Sequence, residues 1–312
     1  MKILITGGNG FVGMNLMKDQ QGKGHAITNV SRTATKTNEI CWDDFLSDSF
    51  KGDYDVFIHL AGKAHDLAAA SNPTEYFDIN TELTKKVFDV FLSGDAKTFI
   101  YMSSVKAAAD TVSGILTEDA IADPQTAYGQ SKLKAEQYIL GNSLQAGKRV
   151  FILRPCMIHG PGNKGNLNLL YQFVMKRIPY PFAAFTNKRS FLSVDNLIYI
   201  VELLISNTII PGGVYNIADD EPLSTNEVVK IIAEASGIKD RLWKVNEKLI
   251  RAFASAGDKL HLPLNSERLK KLTESYIVSN EKIKKVLQIS HLPLSSGEGL
   301  KKTIASFRSS HA

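Results

Sequence analysis

Tyr128 and Lys132 stand four positions apart in the run Tyr128-Gly129-Gln130-Ser131-Lys132, which reads as the opening of a helix continuing through Glu136 and Tyr138. On a helix, residues four apart share a face. A free phenol, with a pKa near ~10, is a poor acid–base group at neutral pH. An ammonium beside it stabilises the phenolate and lowers that value. The lysine could also hold ribose hydroxyls. Such pairs arise often by chance, so order in the chain matters. Before this pair, the apolar run Thr98–Met102 ends in Ser103-Ser104. A serine at the C-terminal end of a parallel strand points into the ligand crevice, where Ser104 could bond a carbonyl or hydroxyl at a reacting carbon. A plain serine turn is the competing reading.

A second constellation opens the chain. Lys2–Thr6 runs into Gly7-Gly8-Asn9-Gly10-Phe11-Val12-Gly13, with G-x-x-G-x-x-G spacing, and a helical stretch follows. Glycines let the backbone turn tightly and let a pyrophosphate reach the N–H groups of a helix N-terminus. The third lets helix and strand pack closely. Gly7, Gly10, Phe11, Val12 and Gly13 are the expected dinucleotide contacts; a mere tight turn is the alternative. At the end of the next strand an acidic residue would hold the ribose of NAD, whereas an arginine accommodates the 2′-phosphate of NADP. Here stand Ser31 and Arg32, with no carboxylate until Glu39. A hydroxyl and a guanidinium make a phosphate clamp, so NADP(H) is favoured and NAD(H) remains possible. A merely solvated Arg32 is the competing reading.

Parallel strands must position these groups. Lys2–Thr6, Ala26–Val30, Val56–Leu60, Thr98–Met102 and Val150–Leu153 each read as a buried strand, with helical windows such as Glu75–Leu92 between them. The rhythm predicts an α/β fold: a doubly wound parallel (Rossmann) sheet with a smaller C-terminal substrate lobe. The expected division is residues 1–155 for the dinucleotide, with sheet elements also from 190–220, and 156–312 mainly for the substrate lobe. Beyond Pro155 a helix is expected near Asp195–Ser206 and a strand near Val214–Ile217.

Bulk properties narrow the class. The 312 residues are 44% apolar and 22% charged, the balance of a globular protein. No apolar run approaches the ~18–20 residues of a membrane span, and the first residues read as a strand rather than a signal peptide. Cys41 and Cys156 lack metal-ligand spacing and fit a reducing compartment, so a cytoplasmic location without membrane insertion is expected. The net charge of +5 suits polyphosphate ligands. The basic clusters Arg268-Leu269-Lys270-Lys271 and Lys282–Lys285 read as solvated helix faces, and no basic–aromatic interleaving suggests nucleic acid.

Nearly the whole chain resembles the extended short-chain dehydrogenase/reductases, the NAD-dependent epimerase/dehydratase group. The matching pieces are TGGNGFVG at Thr6–Gly13, DVFIHLAG at Asp55–Gly62, Asn80 in the helix after it, Ser103-Ser104, YGQSK at Tyr128–Lys132, LRP…HGPG at Leu153–Gly162 and RSFLSVDN at Arg189–Asn196. The resemblance implies a Ser104, Tyr128, Lys132 catalytic triad. It implies that Leu60, Ala61, Gly62, Asn80 and Pro155 belong to the cofactor site. Arg189 would bind a substrate pyrophosphate, with Arg268 assisting and Asn166 as a lobe contact. A homodimer through the helices that include Glu75–Leu92 and Tyr128–Leu140 is also implied.

One departure narrows the reaction. Dehydratases of this group carry an acid pair directly after the catalytic Ser/Thr, and here Val105-Lys106 follow. Neither can serve as an acid–base carboxylate. The pattern is most similar to reductases of UDP-linked N-acetyl-4-keto-6-deoxyhexosamines in surface-polysaccharide pathways. The expected activity is therefore NAD(P)H-dependent reduction of a UDP-linked 4-keto sugar. A 4-epimerase with tightly held NAD is the alternative, a non-catalytic dinucleotide sensor a third reading, and a reductase of a non-nucleotide carbonyl compound a fourth.

Overall fold

The computed structural model describes residues 1–63, 72–163, 165–260 and 265–309. The described strands are β1 (Lys2–Thr6), β2 (Ala26–Ser31), β3 (Glu39–Cys41), β4 (Val56–His59), β5 (Thr98–Met102), β6 (Ile115–Leu116), β7 (Arg149–Pro155), β8 (Met157–His159), β9 (Phe191–Ser193), β10 (Gly213–Ile217) and β11 (Ile277–Val278). Seven form one sheet in the order β10-β7-β5-β4-β1-β2-β3, all parallel. This is the expected Rossmann architecture. The strand order reverses at β1, and ligands bind in the crevice outside the carboxyl ends at such a point. β6 with β11 and β8 with β9 make two small parallel ladders.

The strands are apolar on both faces because helices cover both. Ile3 and Ile5 join Ile58, Ile100 and Leu153 in one core, sealed by Leu197, Val201 and Leu204 of the helix Val194–Ser206. Leu4 points the other way, to Phe57, Phe99 and Ile152, beneath Phe88 and Phe91 of the helix Leu83–Ser93 and Ile139 of the helix Ala127–Gly141. Each such side chain contributes about 1.5–3 kcal/mol when fully buried. A third core, with Leu167, Tyr171, Val228, Ile232 and Ile304, holds together the helices Asn166–Met175, Thr225–Ala235 and Ser296–Ser309.

The expected Glu75–Leu92 helix differs in detail. It runs as an α-helix Pro73–Phe77, a π-helical turn Asp78–Glu82 and an α-helix Leu83–Ser93. The turn is held by side chains: Thr84 donates to the Asn80 carbonyl at 2.8 Å, and Thr81 to the Ser131 carbonyl at 2.8 Å. The outward residues of these helices include Glu82, Lys86, Lys134 and Gln137, with Ile79 and Leu140 the large apolar side chains exposed there. Among the described residues, no helix is long and apolar enough to cross a membrane.

Candidate active site

The glycine loop joins β1 to the helix Phe11–Gly22. Gly7 has φ +76°, a left-handed conformation that other residues rarely adopt, and a Cβ on it would lie 2.6 Å from the Ala61 nitrogen. A Cβ on Gly13 would lie 2.4 Å from the Gly7 carbonyl oxygen. The loop therefore packs backbone on backbone, against the Leu60-Ala61 turn. Gly10 caps the helix and no side chain does, so the first N–H groups are open to an anion. These features fit a dinucleotide pyrophosphate.

Across the switch point, β4 ends beside β5 and the helix Ala127–Gly141. A cavity of about 240 Å³ there is lined by Leu60, Gly62, Ser104, Tyr128, Lys132 and Pro155, among others. Sequence-distant candidates thus meet. A Cβ on Gly62 would come within 2.9 Å of Asn80 Oδ1 and 3.1 Å of Lys132 Nζ. Asn80 Oδ1 accepts the Lys63 N–H at 2.8 Å, and its amide donates to Ser131 Oγ at 3.1 Å. Ser104 caps the short turn Val105–Ala107 by accepting the Lys106 N–H at 3.2 Å.

The electrostatics of this cavity differ from the expectation that Lys132 lowers the Tyr128 pKa. Burial pushes the phenol above its ordinary value, the Ser104 hydroxyl opposes that shift, and Tyr76 adds to it. The Lys132 ammonium instead donates to the Met102 carbonyl at 2.9 Å and sits over the Tyr101 ring. Burial lowers its pKa to about 8, opposed by Glu136 one turn along the helix. Glu136 is itself buried. It pairs with Arg154 of β7, whose Nε lies 3.0 Å from Oε1, and accepts the Ser103 hydroxyl.

A larger cavity, about 430 Å³ and mainly apolar, lies in the C-terminal lobe. Asn166 and Arg189 both line it, with Phe173, Tyr180, Phe182 and Lys271. Arg189 Nε donates to the Glu274 carbonyl at 3.1 Å, and the guanidinium also bonds the Lys271 carbonyl. Burial lowers the Arg189 pKa, opposed by Glu274. Lys106 donates to the Asp110 carbonyl at 2.7 Å and sits over the Tyr276 ring; burial lowers its pKa, Asp110 and Glu274 oppose this, and Arg189 and Lys271 push it further down. Arg268 falls elsewhere. It is exposed on the helix Ser266–Thr273, one turn before Lys271 and Leu272, the residues of that helix on the cavity wall.

The model of the NAD dependent epimerase/dehydratase family matches residues 3–218. The chain belongs to this family. It is 32% identical over 247 residues to the UDP-glucose 4-epimerase of Vibrio cholerae, covering 75% of each chain. It is 25% identical over 268 residues to the GDP-6-deoxy-D-mannose reductase of Pseudomonas aeruginosa, covering 80% of this chain and 85% of that one. Among solved structures, MoeE5 in complex with UDP-glucose and NAD shares the fold, with TM-score 0.78 and 21% identity over the full length of both chains. The protein is an NAD(P)-dependent enzyme of the epimerase/dehydratase family.

Ser31 is buried and donates to the Thr33 carbonyl at 2.9 Å, while Arg32 is exposed. Asn29, unremarked in the sequence, accepts the Gly8 N–H at 3.0 Å and lies 3.5 Å from Glu39. Hydrogen bonds from Thr35 and Asn29 hold the Glu39 carboxyl below its ordinary range. Tyr180, Phe182 and Lys271 were also missed. Pro179-Tyr180-Pro181 reads only as a chain break, and Tyr180 and Phe182 gain their places by bridges to Leu242 and Lys244, far away in sequence.

Proposed function

We propose that this enzyme reduces the 4-keto group of a UDP-linked sugar, with Tyr128 as proton donor. The observation that carries the reading is the meeting of Ser104, Tyr128 and Lys132 in one cavity beside the glycine cradle, with a phenol that burial keeps protonated at neutral pH. The dinucleotide, when bound, supplies the hydride. Tyr128 gives its proton to the oxygen at C4, and Ser104 bonds the same oxygen. Lys132 holds the nicotinamide ribose. Val105 and Lys106 offer no carboxylate for dehydration.

The larger cavity takes the nucleotide: aromatic and aliphatic walls for the base, and the cations Arg189 and Lys271 for the diphosphate. Arg32, exposed at the end of β2, would hold the 2′-phosphate of NADPH, with Ser31 turning its hydroxyl from the Thr33 carbonyl to join it. A UDP-linked N-acetyl-4-keto-6-deoxyhexosamine is the substrate class we favour, in polysaccharide synthesis. The 32% identity to a UDP-glucose 4-epimerase favours a second reading, 4-epimerisation with retained NAD.

Single-turnover oxidation of NADPH and NADH with a UDP-linked 4-keto sugar separates the two. Reduction faster with NADPH than with NADH, and slowed by Arg189→Ala through KM rather than kcat, supports the reductase. Interconversion of UDP-sugars with no net oxidation of added cofactor would establish the epimerase instead, and inactivity in both assays would end both readings.

A further inference from the structure

The helix Glu247–Leu260 carries a wider apolar face than the protein covers. Successive residues turn by about 100°. On one side Ile250 and Ala254 are buried against Phe185 and Leu269. On the adjoining arc Leu249, Phe253 and Leu260 are 56%, 70% and 67% exposed. Trp243, just before the helix, is 59% exposed. Single exposed apolar residues are ordinary, but three on one helical arc are not.

The segments that build this lobe carry an excess of cations. Residues 239–273 contain nine Lys/Arg against four Asp/Glu, and residues 157–194 contain five Lys/Arg and no acid. The whole chain has 37 Lys/Arg and 32 Asp/Glu, so the remainder is net acidic. The basic excess is concentrated in the segments that build the lobe.

We propose that this lobe docks on an anionic lipid bilayer, with Leu249, Phe253 and Leu260 in the interfacial layer and the basic residues over the headgroups. An amphipathic helix with aromatic and aliphatic residues on one face and a cationic surround is the chemistry that such an interface recognises. Trp243 suits the same depth, where an indole can be apolar on its ring and wet at its N–H. The helix has 14 residues and lies in the surface rather than spanning it. A second copy of the chain fits less well, because a two-fold contact would bring two lobes with an excess of cations together. The contact also has a use. Leu269 of the helix Ser266–Thr273 packs on this helix, and Leu272 of the same short helix stands, half in solvent, at the rim of the 430 Å³ cavity. The substrate mouth would open close to the headgroups.

The test is co-sedimentation of the full chain with vesicles of phosphatidylcholine alone and of phosphatidylcholine with 30% phosphatidylglycerol. At least tenfold more protein should pellet with the anionic vesicles, and added salt should release it. Phe253→Glu and the milder Phe253→Ser should each cut binding at least tenfold while leaving thermal unfolding and dinucleotide binding unchanged. Equal partition to both vesicle types, or binding unaffected by either variant, would overturn the proposal. So would a wild-type dimer that Phe253→Glu converts to monomer, which would assign the face to a second copy. Binding is read without turnover, so the substrate assignment does not bear on the result.

Discussion

Burial raises the Tyr128 phenol, so the residue arrives at neutral pH as a proton donor. Tyr128→Phe keeps the ring but removes that proton. We expect a loss of about 10²–10⁴ in the single-turnover rate, with unfolding temperature and dinucleotide affinity unchanged. Lys132, with a folded pKa of about 8, is an ammonium below that pH and loses its charge above it. Dinucleotide binding that depends on this charge should therefore weaken as pH rises through about 8. For stability the sign is opposite: the unfolded lysine still holds its proton there, so this residue opposes folding at neutral pH and ceases to as pH rises. Glu136 supports the ammonium, and Glu136→Gln should move the binding midpoint to lower pH; Glu136→Asp should restore it in part. Titration of dinucleotide affinity against pH reads both, whereas a merely structural Glu136 would lower stability and leave the midpoint in place. Tyr128 and Lys132 were legible as candidates because their spacing is local to one helix, and Ser104 because it follows an apolar strand. The direction of the phenol shift was not, because burial and the turning of the ammonium to Met102 depend on how strands and helices pack.

At the scale of elements, the glycine loop separates close packing from open surface. A Cβ at Gly13 meets backbone atoms of Gly7 and Gly8, which cannot move like a side chain end, whereas one at Gly22 in the last turn of the same helix meets nothing within 4 Å. Gly13→Ala is expected to cost about 1–3 kcal/mol and to abolish dinucleotide binding. Gly22→Ala should be neutral or slightly stabilising. Thermal unfolding with dinucleotide titration checks both. The five strands read from apolar runs all recur in the sheet, since parallel strands buried on both faces must be apolar throughout. β3 escaped notice because Glu39–Cys41 is short and half-buried. The π-helical turn escaped for another reason: its register rests on Thr81 and Asn80 finding Ser131 and Lys63 and on Thr84 bonding the Asn80 carbonyl, and a 3.6-residue period cannot announce that.

At the scale of the whole molecule, the sheet is completed by late parts of the chain. We propose that the dinucleotide unit comprises residues 1–155 together with the returning segment through β10, and that the rest forms the substrate lobe. A fragment of residues 1–155 is then expected to aggregate rather than fold, because Ile3, Ile5, Ile58 and Ile100 lose the cover of Leu197, Val201 and Leu204. Circular dichroism and gel filtration of the fragment would test this; a soluble, cooperatively unfolding fragment would contradict it. The same topology sets a condition on synthesis in the cell. β1 lies in the middle of the sheet, but its covering helix begins at Val194 and the outer strand at Gly213. At roughly 5–20 residues per second, the ribosome leaves the growing chain for on the order of ten seconds or more with one face of its central strands covered only by the helix Phe11–Gly22. A protein built in this order depends, while it is being made, on being shielded from its neighbours, however stable it is once complete.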